Sequence, residues 1–329
     1  MKKVLIAFIL ILASSSIIAC GDNTSDEREK PLVVTTLFPH YDMVKHLAGD
    51  LVDVEFLLPA GVDSHSYEPS SRTIVRLKNS DLFVYTGIEI EPWVKNLVED
   101  DLYTLDLSKN ILLLEDDDDD HDDDHDDDHR WYQDLWYWFI GLFGVEHEEH
   151  HDYDPHYWLD PLNAKIMVND IADALITMFP NEEETILLNR DAYLEDLDTL
   201  HDAFLDLVEN AEFNVVMHGG HNAFSYFAKR YGIEYYTPYR GFSSDAEPTP
   251  QALAEMISLM NELEIQHLFS EVLISPHVAQ AITENTNATI LYLYAAENIP
   301  ADDYTNGVTF LDMMWHNYEQ FKIGLNYQP

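Results

Sequence analysis

From Glu182 to Glu209 the chain runs without one proline or glycine, and its apolar residues recur at helical spacing. At ~1.5 Å per residue that run makes a helix roughly 40 Å long, and one long helix of this kind joins two lobes rigidly. Both flanks alternate short β-rich runs with helical patterns. Upstream, Leu32 to Leu37, Val52 to Leu58 and Leu82 to Tyr85 read as strands, with helices over His40 to Leu47 and over Pro69 to Lys78, the second with proline in its first turn. A further helix covers Asn163 to Met178, and Pro180 punctuates the chain before the long run. Downstream the rhythm restarts: Phe213 to Met217, Ile233 to Thr237, His267 to Ser270 and Thr289 to Tyr294 read as strands, and helices open at Thr249-Pro250 and Ser275-Pro276. The expected fold is therefore α/β: two parallel-sheet (βα)n lobes bridged by one long rigid helix, with a ligand in the interlobe cleft.

The N-terminus carries an address. Lys2 and Lys3 precede an apolar run from Val4 to Leu12, and Ile17-Ile18-Ala19-Cys20 completes the pattern of a signal peptide ending in a lipobox. A membrane span would need ~20 apolar residues; this run is shorter, and Gly21 to Lys30 reads as a polar tether. Cys20, the only cysteine, is then a lipid anchor, and the mature chain works outside the cytoplasm and folds without disulfides. The expected organisation is a leader over 1–20, a tether over 21–30, an N-terminal lobe over 31–180 that contains an acidic insert at 115–154, a linker helix over 181–210, and a C-terminal lobe over 211–329.

Charge narrows the partners. The chain has 62 acidic residues against 17 basic ones; without the insert the body still holds 44 against 16. Nucleic acid and anionic membrane surfaces repel such a body, whereas a cationic ligand is allowed. Adaptation to high salt explains the body's acidity equally well.

In open α/β sheets ligands collect beyond the carboxyl ends of the strands. The loops there carry His65 in PAGVDSHSYEPS, His156 in DPHYWLDPLNAK, His221 in VVMHGGHNAF and Glu297 in LYLYAAEN. Three imidazoles and a carboxylate from four loops form a closed tetrahedral set of the kind zinc prefers. His221 stands where a helix is expected to start, which favours a neutral ring. Asp152, Asp154 and Asp160 lie near His156 in sequence and are candidates to orient its second nitrogen. Taken singly, each histidine reads more often as an ordinary loop residue; their shared position after strands singles them out.

The stretches PAGVDSHSYEPS, DPHYWLDPLNAK, GGHNAFSYFAKRYGI and PYRGFSSDAEPTPQALAEMI resemble, in order, motifs of the metal-binding solute proteins of ABC transporters, the zinc-uptake (ZnuA-like, TroA-fold) family. The resemblance runs from about Leu32 to the C-terminus and breaks only at the acidic insert. It implies that His65, His156 and His221 are metal ligands and that Glu297 takes the fourth, more variable place. It implies the same two-lobed architecture, with little closure on binding. Two histidines with two carboxylates would favour manganese; three histidines favour zinc. His218 reads as a loop or second-shell residue, or a substitute ligand. Arg240, Glu247 and Glu271 read as fixing loops, and His40, His46, His201, His267, His277 and His316 as surface or helix-face residues.

In the insert, Glu115 to Arg130 reads EDDDDDHDDDHDDDHR. His121, His125 and His129 are spaced i, i+4, i+8, but a dense aspartate run repels itself and is expected to stay extended. With His147, His150 and His151 it forms a candidate secondary metal loop; the resemblance implies a loop rich in His and acids near the cleft in zinc-specific members. The bland alternative is a solvated segment without a selected role. Trp131 to Gly144 is strongly aromatic, which suits an element packed on the N-terminal lobe and equally a surface for membrane or permease.

The sequence thus points to a lipid-anchored, extracytoplasmic, monomeric protein that captures Zn²⁺ and presents it to an ABC permease. It does not point to an enzyme, because four protein ligands leave no open position for an activated water. The rivals are a manganese or iron carrier of the same fold, a surface adhesin, and a zinc hydrolase. Against the last, there is no HExxH, and His147-Glu-Glu-His150 has the wrong spacing.

Overall fold

A computed structural model of the chain describes residues 30–62, 67, 69–88, 90–98, 102–115, 153–242 and 247–329. Cys20, His65, Asp152, the aromatic stretch 131–144 and the insert histidines His121, His125, His129, His147, His150 and His151 lie outside the described residues. In chain order the main elements are β1 (Leu32–Thr35), α1 (Phe38–Ala48), β2 (Asp53–Phe56), α2 (Ser71–Lys78), β3 (Leu82–Tyr85), β4 (Thr104–Asp106), α3 (Pro161–Met178) and α4 (Glu183–Glu209). They continue with β5 (Val215–Met217), α5 (Ser225–Tyr231), β6 (Glu234–Tyr236), α6 (Pro250–Glu262), β7 (His267–Glu271), α7 (His277–Thr283), β8 (Thr289–Leu293), α8 (Ala301–Asn306) and α9 (Phe310–Gly324).

The first four strands form one parallel sheet in the order β2-β1-β3-β4. β3, whose four residues LFVY are all buried, and β1 occupy the middle, as continuous apolar runs must when helices cover both faces. β4 was not expected, because TLD is too short to show a period. In the second half β5 pairs with β6 and β7 with β8, all parallel. A parallel bridge between His218 and Phe269 joins the two pairs, giving the order β6-β5-β7-β8. The strand neighbours thus repeat the plan of the first sheet.

Several helix starts differ from expectation. Pro69 lies outside α2, because Ser70 is its cap and accepts a hydrogen bond from Thr73 N at 3.3 Å. Ser275 does not cap α7, whose preceding residue is Pro276; the Ser275 hydroxyl lies 3.3 Å from His277 Nδ1 instead. At α6 the reading holds, with Thr249 accepting from Ala252 N at 3.1 Å and Pro250 in the first turn.

The long run is a single helix of 27 residues, α4. It buries Ile186, Tyr193, Leu197, Leu200, Phe204 and Leu207 along one stripe, the spacing of a helix packed along its whole length. That stripe packs against α1 and α3 from the first half and α5 and α9 from the second. Phe204 sits edge-on to Phe227, and that ring stacks on Phe321 at 4.7 Å. A buried aspartate strengthens the junction: Asp42 on α1 accepts from Phe310 N at 3.1 Å and from the Tyr193 hydroxyl at 3.3 Å. α4 is therefore embedded in a core continuous across both halves. Among the described residues no helix is long and apolar enough to cross a membrane.

Candidate metal centre

Three loops converge beyond the strand ends. His156 opens the short turn Tyr157–Leu159 that leads into α3. That turn is pinned by the Tyr157 hydroxyl donating to Thr86 O at 2.5 Å and by Trp158 Nε1 donating to Ala295 O at 2.8 Å. His221 lies between β5 and α5. Glu297 follows β8 after Ala296, a non-glycine residue with φ of 61°, and its carbonyl accepts from Phe38 N at 3.0 Å. Asn298 then donates to Pro59 O at 2.9 Å and Val62 O at 2.5 Å. The turn that carries Glu297 thus grips the segment leading toward His65.

His156 and His221 are fully buried and Glu297 is 8% exposed. His156 Nε2 lies 3.0 Å from His221 Nε2 and 3.6 Å from Glu297 Oε2. One donor atom from each of the three lies within 4.8 Å of the others. A tetrahedral zinc bound at about 2.0–2.1 Å holds neighbouring donor atoms roughly 3.3 Å apart, so both short separations suit one ion.

The far side of each imidazole is held by a carboxylate. His156 Nδ1 bonds Asp154 Oδ1 at 2.8 Å, and the same oxygen accepts from His156 N at 2.9 Å. His221 Nδ1 bonds Glu271 Oε1 at 2.8 Å. With each Nδ1–H donating backward, each Nε2 faces the site, the arrangement in which a carboxylate fixes tautomer and ring of a metal-binding histidine. Burial alone would lower His156, but the hydrogen bonds and charges of Asp154 and Glu297 outweigh it and lift the imidazole to about 9. The 3.0 Å spacing to His221 also lies within the range of an N–H···N hydrogen bond.

Other sequence candidates fall elsewhere. His221 does not start a helix: α5 begins at Ser225, and Glu271 rather than a helix terminus fixes the ring. Asp160 does not orient His156 either; it caps α3 through Leu162 N at 2.9 Å and pairs with Arg230 at 2.7 Å. His218 is fully buried, its Nδ1 is 2.7 Å from the Tyr235 hydroxyl, and burial holds it down to about 4. Its Nε2 is 3.7 Å from Glu271 Oε1, facing the carboxylate that serves His221. His40 is on a helix face but wholly buried, which lowers it to about 3. Glu247 and Arg240 are exposed, and Glu247 lies 3.9 Å from His277 Nε2. Sequence reasoning missed Glu271 as the partner of His221. Its signal was a carboxylate ending β7, after the buried Leu268, Phe269 and Ser270.

The model of the family described as zinc-uptake complex component A, periplasmic, matches residues 33–324. The zinc-binding lipoprotein AdcA of Streptococcus pneumoniae is 29% identical over 333 residues, which span 98% of this chain and 61% of that protein. This chain thus covers about three fifths of that relative's length. The high-affinity zinc uptake system protein ZnuA of Bacillus subtilis is 28% identical over 330 residues, 97% of this chain and 96% of that one. The crystal structure of the Zn(II)-bound ZnuA-like domain of S. pneumoniae AdcA superposes with a TM-score of 0.70 at 27% identity, over 90% of this chain and 99% of that one.

Proposed function

Because the chain belongs to the zinc-uptake complex component A family, we propose that it captures Zn²⁺ outside the cytoplasm and hands it to an ABC permease. His156, His221 and Glu297 hold the ion together with His65. The observation that carries this reading is the pair of imidazoles 3.0 Å apart, each backed by its own buried carboxylate. Three imidazoles and one carboxylate select zinc over manganese by ligand softness and by the usual affinity order of the divalent ions. The ligand set is closed, so the ion is cargo and the protein is not an enzyme. Residues 31–180 and 211–329 act as two lobes joined by 181–210, the protein is monomeric, and a lipid on Cys20 holds it at the outer face of the membrane. The relatives named lipoproteins support the last point.

The acidic segment serves as a reservoir of weaker sites through His121, His125, His129, His147, His150 and His151. Calorimetric titration tests both levels. The full chain binds one zinc tightly, which excess manganese does not displace, and further zinc weakly; a chain lacking 116–151 keeps the tight site and loses the rest. Occupancy of the weak sites falls as pH drops through ~6.5, where free histidines take up protons. Equal stoichiometry in the two chains would remove the reservoir role. Loss of the tight site with the segment would show that the ligands were chosen wrongly, and displacement by manganese would reassign the cargo.

A further inference from the structure

Tyr226 has no part in the metal site as described so far, yet its hydroxyl bonds the backbone of Asp154, the residue that aims His156. It is 5% exposed and stands in the first turn of α5, five residues after His221. Its hydroxyl accepts from Leu114 N at 2.8 Å and donates to Asp154 O at 3.1 Å. These two residues are the root of the acidic segment: Asp154 N donates to Leu114 O at 2.8 Å, and Glu115 and Tyr153 form an isolated antiparallel bridge. The backbone of Asp154 is thus held on its N–H side by Leu114 and on its carbonyl side by Tyr226. The fully buried side chain of the same residue aims His156.

The surroundings fix the ring as firmly as the hydroxyl. Tyr226 meets Tyr157, the residue after His156, edge-on at 6.4 Å and 84°. One helical turn later Arg230 pairs with Asp160 at the start of α3. α5 therefore grips the His156 loop before and after the imidazole, while the chain just upstream of α5 carries His221.

We propose that Tyr226 is a positioning residue of the metal site, whose hydroxyl locks the root of the acidic segment so that His156 faces His221 at ligating distance. This inference rests on the ligand reading above. The hydroxyl uses one donor and one acceptor capacity, and both partners are backbone groups that phenylalanine would leave without it. Phenylalanine keeps the edge-on packing and so isolates the hydroxyl.

The test compares Y226F with the parent, H156A and Y193F. Tyr193 is also a buried tyrosine with one hydroxyl contact, to Asp42, remote from the ligands. Y226F weakens zinc binding roughly tenfold to a hundredfold, the usual effect of losing an outer partner of a ligand. It also alters the visible absorption of the Co²⁺-loaded protein, which reports ligand geometry. Y193F lowers the melting temperature and leaves zinc affinity and the Co²⁺ spectrum unchanged. The Y226F loss is the same in a chain lacking 116–151, because the clamp is made by Leu114 and Asp154. In the parent chain, which needs no substitution, zinc slows hydrogen exchange at the Leu114 amide.

H156A separates two kinds of failure. If it binds zinc as the parent does, the ligand assignment falls, whatever Tyr226 does. If H156A loses zinc while Y226F binds normally with an unchanged Co²⁺ spectrum, the positioning role is overturned. A loss that vanished on deleting 116–151, or a Leu114 amide indifferent to zinc, would also overturn it.

Discussion

Replacing His156 or His221 with alanine weakens zinc binding a few hundredfold. A site of four protein ligands gains on the order of 10–16 kcal/mol from zinc, so one ligand in four accounts for about 2.5–4 kcal/mol. At about 1.4 kcal/mol per decade, that is two to three orders of magnitude. Either substitution also leaves a buried carboxylate without its imidazole, Asp154 in one case and Glu271 in the other. Competition against a chelator of known affinity measures the loss. Parent-like affinity in both variants would remove these residues from the site.

The second large effect comes from two adjacent glycines whose substitutions differ in their effect on the zinc site. A Cβ on Gly220 would lie 2.2 Å from Glu271 Oε1 and 2.9 Å from His218 Cε1. The carboxylate, which aims His221, and the His218 ring must both shift, and because both are buried the shift also costs stability. G220A is therefore expected to weaken zinc binding roughly tenfold to a hundredfold and to lower the melting temperature as well. A Cβ on Gly219 would meet Ala279 Cα and Cβ at 3.1 Å, and Leu268 Cδ2 at 3.3 Å. Those atoms belong to the backbone and core of α7 and β7, so G219A costs about 1–3 kcal/mol of stability and spares the site. Thermal melts with and without zinc separate the two. Equal phenotypes would show that the close approach to Glu271 has no role in aiming His221.

How much of this was legible in the sequence depended on how far each feature was local. The α4 stripe and the strands β1 and β3 announce themselves by periodicity or by continuous apolar runs, which are properties of neighbours in the chain. Beyond-strand positions marked His156, His221 and Glu297, and the structure brings those three together. β4 escaped notice because three residues carry no period. The start of α5 was placed too early because Asn222, Ala223 and Phe224 are irregular backbone before the helix, which leaves no local mark. Tyr226 and Glu271 act on residues distant in sequence, at separations of 112 and 50 respectively. One chain read alone shows a tyrosine and a glutamate and does not show what faces them.

The most direct measurement of the central claim is anomalous diffraction at the zinc edge from crystals grown with one equivalent of zinc. The account predicts one strong peak at about 2.0–2.2 Å from His156 Nε2, His221 Nε2 and a Glu297 oxygen, with His65 as the fourth donor. The two imidazole nitrogens, now 3.0 Å apart, should open to roughly 3.3 Å to fit a tetrahedral ion. A principal peak that touches neither His156 nor His221, or that lies among the histidines of the acidic segment, would contradict the account.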